Sequence, residues 1–176
     1  MKPDDHAIGA REARVTLIEY GDYQCPYCAR AYLVLQVVIN ELGGSLRYGF
    51  RNFPLRDVHR QAMTAHEAAE SVAARAGEAA FWEMHAMLFE NQDALDIDDL
   101  LGYAEAAGAP AAEVASDLTS GAARARVERD IALGTADGVR GTPTFFINGR
   151  KFDGDWTDAD AFIEALQAAA AESTPH

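Results

Sequence analysis

The chain has 176 residues, enough for one domain or one domain with a large insertion, and can bury a core without disulfide staples. Apolar residues make up 49% and charged residues 24%, a globular balance that excludes a disordered chain, a collagen-like chain and a disulfide-rich mini-protein. A net charge of −13, from 15 basic and 28 acidic residues, argues against nucleic acid and anionic membrane surfaces as partners.

The first six residues carry no apolar core and no cleavage site. The longest apolar run, 31–39, is broken by Gln36 and is too short to span a bilayer. As written the chain is expected in the cytoplasm. An export signal already removed would leave the same sequence and make it periplasmic.

Residues 15–20 (VTLIEY) are rich in β-branched and aromatic side chains, the pattern of a buried strand, which Gly21-Asp22 breaks. Two cysteines follow, in Cys25-Pro26-Tyr27-Cys28. From 29 to 42, Leu35, Val38, Ile39 and Leu42 recur at helical spacing until Gly43-Gly44. The cysteines therefore sit where a strand hands over to a helix. Residues i and i+3 of a helix share a face, with β-carbons about 5–6 Å apart. A disulfide wants α-carbons about 4.4–6.8 Å apart, so this pair closes and opens with little backbone movement. Pro26 suits the first turn, where no N–H is needed. Cys25 lies at the helix N-terminus, whose free N–H groups stabilise a thiolate, the form that attacks disulfides.

A CxxC beside a βαβ pattern reads as a redox pair. The competing readings are an inert buried pair and a zinc site. One CxxC supplies only two ligands, so His59, His66 or His85 would have to complete a zinc site, and the spacing fits no common zinc pattern. His66-Glu67-Ala68-Ala69-Glu70 lacks the second histidine of a zinc protease motif.

Residues 45–53 alternate Leu46, Tyr48 and Phe50 against Arg47, Gly49 and Arg51, a second strand that Pro54 stops. From 58 to 138 only helical patterns appear. Residues 59–76 are alanine-rich. Residues 78–90 put Phe81, His85, Leu88 and Phe89 on one stripe, where His85 reads as a packed, hydrogen-bonded side chain. Asp96 caps 97–107, with Ile97, Leu100, Leu101 and Ala104 on one face. Pro110 starts another helix, and Val127 and Ile131 mark a further one. The period then returns to two: strand 144–147, an Asn148-Gly149 hairpin turn, return strand 150–152, and a last helix capped by Thr157 with Phe162, Ile163 and Leu166 inward.

Charge is uneven. No Lys or Arg lies between Arg75 and Arg124, an interval that holds Glu78, Glu83, Glu90, Asp93, Asp96, Asp98, Asp99, Glu105, Glu113 and Asp117. A solvated acidic face is the favoured reading, and steering of cationic polypeptide segments the other. Arg47, Arg51, Arg56 and Arg60 cluster around the second strand.

The sequence of strand, CPYC, helix, strand, helical block, Gly141-Thr142-Pro143-Thr144 and a ββα end resembles a DsbA-like thiol:disulfide oxidoreductase of the thioredoxin superfamily. The resemblance covers essentially the whole chain. Asn52-Phe53-Pro54-Leu55 and Phe81-Trp82-Glu83-Met84-His85 also resemble the bacterial subgroup found fused to sodium/proton antiporters. The resemblance implies an α/β thioredoxin fold, discontinuous over 11–57 and 139–172, with an all-helical insertion over 58–138.

It also implies roles. Cys25 would attack and Cys28 would resolve the mixed disulfide. Pro143 would be cis, and the free backbone of Thr142 would pair with an extended substrate. Pro26 and Tyr27 would line the substrate site. Glu19, six residues before Cys25, would be a buried acid that takes the proton of Cys28; the alternative is that it reaches solvent or pairs with an arginine. Tyr23, Tyr27 and Trp156 would frame an apolar groove or else belong to core and rim. Protein thiols and disulfides would be the substrates, with oxidation, reduction or isomerisation as the direction. No metal, flavin or nucleotide cofactor is implied. A thioredoxin-like protein, glutathione or a membrane oxidase would be the redox partner, and a monomer is the default. The rival functions are a glutathione-linked glutaredoxin-like enzyme or transferase, and a non-catalytic redox sensor or peptide-binding module.

Overall fold

The structure, a computed structural model, describes residues 1–172. The described residues divide into two compact units: Met1–Gly21, Arg30–Arg51 and 143–172 form one, and Asp22–Ala29 with Asn52–Thr142 the other.

The first unit carries a five-stranded sheet of order β1-β3-β2-β4-β5: β1 (His6–Ile8), β2 (Val15–Gly21), β3 (Leu46–Asn52), β4 (Thr144–Ile147) and β5 (Arg150–Phe152). β2 is central and buried along nearly its whole length, the reason its sequence is almost uniformly apolar. It pairs antiparallel with β4, Glu19 facing Phe145 in register. Helix α1 (Pro26–Leu42) begins at Pro26, and Ala31, Leu35, Val38 and Leu42 form its buried stripe. The β4–β5 hairpin turns through Asn148 and Gly149, both at positive φ (47° and 79°), as a type I′ turn requires. Helix α7 (Ala159–Glu172) buries Phe162, Ile163 and Leu166, with Phe162 against Phe145 and Phe152.

Three details differ from the sequence expectations. Strand β1, antiparallel to β3, has no counterpart there: its three residues show no periodicity. It closes on Gly9, where a Cβ would lie 2.2 Å from the Leu46 carbonyl oxygen. The face of β3 that alternates as Arg47, Gly49 and Arg51 is half-buried at Arg47 and buried at Gly49 and Arg51, which alternation alone does not reveal. Arg51 is buried and forks onto Asp5 (2.9 and 2.8 Å), with a further bond to the Tyr20 hydroxyl (2.7 Å). Burial alone would raise the Asp5 carboxyl; the Arg51 hydrogen bonds and charge bring it below the usual range. Finally, Thr157 does not cap α7. Its hydroxyl donates to Asp155, while the Asp158 carboxylate accepts the N–H groups of Asp160 and Ala161.

The second unit contains α2 (Ala62–Ala76), α3 (Glu78–Glu90), α4 (Ile97–Ala106), α5 (Ala111–Ser120) and α6 (Arg124–Ala136). Helix α2 packs against the other four. Its buried Ala62, Ala65, Ala68 and Ala69 let neighbouring backbones approach closely. The stripe of α3 is buried as its spacing requires. On α4 the Asp96 capping box forms, but Ile97 is 56% exposed because it occupies the first helical position. Leu95 and Leu100, the staple positions around that cap, are buried instead. The acidic face is solvated with two exceptions: Asp99 is half-buried, and Asp117 is buried, bound by Ser71 Oγ (2.6 Å) and by Arg75 (2.9 and 2.7 Å). No helix among the described residues is long and apolar enough to cross a membrane.

Removing the α7 cap should be visible in stability. Asp158→Ala should cost about 1 kcal/mol in urea unfolding and Thr157→Ala less than half of that; equal losses would return the cap to Thr157.

Candidate active site

Where β2 ends, residues 22–25 lead into α1, and Cys25 takes the N-cap position, its carbonyl accepting the N–H groups of Cys28 and Ala29 (3.1 and 3.2 Å). Both cysteines are free thiols. Cys28, one turn into the helix, is wholly buried, and Cys25 is 4% exposed. The Cys25 Sγ–H points at the Thr142 carbonyl, 3.5 Å away. The Asp22 N–H points at Cys28 Sγ, 3.4 Å away.

The Cys25 thiol is pulled down from 9.0 to about 5. Hydrogen bonding by the Cys28 side chain contributes most; burial opposes it; the Thr142 side chain and the N–H groups of Cys28 and Tyr27 add to the lowering. The Thr142 hydroxyl is buried and has no hydrogen-bond partner while Cys25 is a thiol, so ionisation of the sulfur gives it an acceptor.

The helical unit holds this segment from several sides. Gln92 Nε2 donates to the carbonyls of Tyr23 (2.9 Å) and Cys25 (2.8 Å). Gln24 and Gln61 bond reciprocally (3.1 and 2.8 Å). The Asp22 carboxylate accepts Gln24 N, Leu55 N and His59 Nδ1, each at 2.8 Å. The Tyr23 hydroxyl meets His85 Nδ1 at 3.0 Å, and the Tyr23 N–H donates to His66 Nε2 at 3.3 Å. His66 is fully buried, and that burial lowers it to about 4, so at neutral pH it is the uncharged ring. Nε2 then accepts, and Nδ1 donates to Asn52 Oδ1 (2.6 Å). The Asn52 amide in turn donates to Glu70 and Asp130.

The residues singled out from sequence fall in different places. Cys25, Cys28 and Thr142 come together. Pro26 and Tyr27 open α1 and are exposed, Tyr27 by 64%. Pro143 directly follows Thr142 and is half-buried. Glu19 belongs to the sheet unit; it is buried and accepts a 2.6 Å bond from the Tyr48 hydroxyl. Tyr23 is wholly buried and is core, whereas Trp156 packs on Phe145. His85 is packed and hydrogen-bonded as expected. The histidines weighed as zinc ligands contact Asp22, Asn52 and Tyr23 instead, and no group of three or more metal-binding side chains occurs among the described residues. Asp22 and Gln92 had no mark in the sequence as parts of a site, Asp22 reading as a strand breaker and Gln92 lying in a loop without pattern, and His59 and His66 were weighed only as zinc ligands.

The sequence profile described as Thioredoxin matches residues 1–168. The chain belongs to the thioredoxin family. It is 41% identical over 170 residues to the Na(+)/H(+) antiporter NhaA 1 of Salinispora arenicola, a match covering 96% of this chain and 25% of that protein. The chain thus spans about a quarter of the length of the curated relatives it matches. Among solved structures, BdbD from Bacillus subtilis superposes with a TM-score of 0.86 at 22% identity, covering 95% of this chain and 93% of that one. The thiol-disulfide exchange protein alpha-DsbA2 from Wolbachia pipientis superposes at 0.81 and 18% identity, covering 95% and 88%. The chain is thus a thioredoxin-family protein whose fold, helical insertion included, is shared with these solved structures.

The reactivity of Cys25 should follow its ionisation. Its alkylation by iodoacetamide should rise through a midpoint near pH 5, and Thr142→Val should move that midpoint up; a midpoint in the ordinary thiol range would remove the stabilised thiolate. The same group contributes stability to the reduced fold above the ordinary thiol range, and loses it as pH falls through about 5. The stability gap between the reduced protein and Cys25→Ser should therefore narrow on acidification.

Proposed function

We propose that this chain is a thiol:disulfide oxidoreductase that exchanges dithiol and disulfide with protein substrates, Cys25 attacking and Cys28 resolving. The observation that carries this reading is the Cys25 thiol lowered to about 5 at a helix start, with a second, fully buried thiol one turn away. The oxidised pair would accept a client thiolate at Cys25, or the Cys25 thiolate would attack a client disulfide. Either way a mixed disulfide forms at Cys25, and Cys28 displaces the client.

Thr142 and Pro143 have a part in this scheme. The Thr142 carbonyl accepts the Cys25 S–H in the thiol form. Once Cys25 is in a disulfide that donor is gone, and the carbonyl is free to accept an N–H from an extended client segment, a form of strand addition. Pro143, without an N–H of its own, leaves no competing donor at the next position. Tyr27, exposed beside the sulfurs in sequence, would meet the client.

A thiolate stable at neutral pH favours the dithiol over the disulfide. The disulfide form therefore tends to pass its bond to clients, and oxidation is the proposed direction. In glutathione buffers the Cys25–Cys28 couple should equilibrate above the value of about −270 mV typical of thioredoxin; a lower potential would reverse the direction.

Two variants test the assignment of the sulfurs. Cys25→Ser should abolish insulin-disulfide reduction. Cys28→Ser should accumulate mixed disulfides with clients on non-reducing gels. If it forms no adducts yet still reduces glutathione mixed disulfides, the chemistry is glutathione-linked and needs one cysteine.

A further inference from the structure

Asp22 stands between the two cysteines. Its carbonyl accepts the Cys25 N–H at 3.1 Å, and its N–H points at Cys28 Sγ at 3.4 Å. Its side chain is wholly buried, and a buried carboxylate persists only with its oxygens satisfied. Oδ1 accepts Gln24 N, two residues on, which folds the segment into an Asx turn. Oδ2 accepts both Leu55 N and His59 Nδ1. Leu55 and His59 belong to one closed turn, since the His59 N–H donates to the Leu55 carbonyl at 2.9 Å. That turn presents a main-chain donor and an imidazole donor to the same oxygen. Of the two side chains, only His59 touches solvent, at 19% exposure.

We infer that His59 is a positioning residue for the resolving step. It holds the Asp22 carboxylate and thereby keeps the Asp22 N–H aimed at Cys28 Sγ, where it stabilises the thiolate that must form there. This role rests on the two-cysteine reading above. In that step the Cys28 thiol gives up its proton, one proton being returned to the departing client sulfur, and the thiolate attacks Cys25 Sγ. A Cys25–Cys28 bond forms as the bond between Cys25 and the client sulfur breaks. The client sulfur leaves with the electron pair and takes up a proton. One disulfide is consumed and one made, so no outside oxidant is involved. His59 touches none of the reacting sulfurs. The charged group facing it is the Asp22 carboxylate, and His66 on α2 lies within the field of that same carboxylate.

Reduced protein mixed with dithiodipyridine separates the two events. Attack by Cys25 releases one thiopyridone, and resolution by Cys28 releases a second, both followed by stopped-flow absorbance across pH. His59→Leu should leave the first phase within about twofold, slow the second about fivefold to tenfold and move its pH midpoint up. His59→Asn, whose Nδ2 replaces the Nδ1 donor, should restore the second phase to within about twofold of the parent. A second phase unchanged in His59→Leu overturns the role, as do two phases slowed alike with no recovery in His59→Asn. A parent protein with no second phase removes the two-cysteine reading itself, and this role with it.

Discussion

A thiol held near the start of a helix becomes a thiolate only if the surroundings supply donors faster than burial removes water. Cys25 meets that condition from three directions. The neighbouring thiol, the Thr142 side chain and two main-chain N–H groups all favour the charged sulfur. Burial works against them and loses. The balance depends on where the main chain of residues 22–25 lies, because a donor displaced by an ångström no longer bonds to sulfur.

That dependence gives the helical insertion a physical purpose. Gln92 fixes two carbonyls, His66 takes the Tyr23 N–H, His85 meets the Tyr23 hydroxyl, and the turn at Leu55 and His59 holds Asp22. The segment lies in one compact unit with the helices. Burial keeps His66 uncharged, so it can accept from a main-chain N–H, which an imidazolium could not. Its other nitrogen is occupied by Asn52, itself held between two buried carboxylates. The loop is thus held by a fully bonded polar layer rather than by apolar packing alone, and such a layer specifies one arrangement more sharply.

What could be read from sequence follows from the range of the interactions. β2, α1, the α3 stripe, the Asp96 cap and the Asn148-Gly149 turn are set by residues within a few positions of one another, and period and turn chemistry make them legible. β1 was not, because three residues carry no period and their partner lies some forty residues away in β3. The Thr157 cap failed because two good capping residues are adjacent, and a hydrogen bond to Asp155 decides between them. The motif Cys25-Pro26-Tyr27-Cys28 pointed to the chemistry, but not to the residues that position it. Asp22, His59 and Gln92 reach the site by contacts separated by 33 to 69 residues in the chain, which no local pattern encodes.

The two sulfurs are chemically unequal although they sit on one helical turn. Cys25 keeps a small accessible surface and has several partners that favour its charge. Cys28 has no accessible surface and receives the Asp22 N–H. On the proposed reading this inequality orders the reaction. A large client reaches only the sulfur with exposed surface, so the first bond forms at Cys25. Cys28 is reached only from within the protein, and the sulfur placed for it to attack is that of Cys25 itself. Resolution is then intramolecular, with the reactants already close, and its speed rests on how readily Cys28 ionises rather than on encounter. The N–H that Asp22 aims at this buried sulfur bears directly on that ionisation.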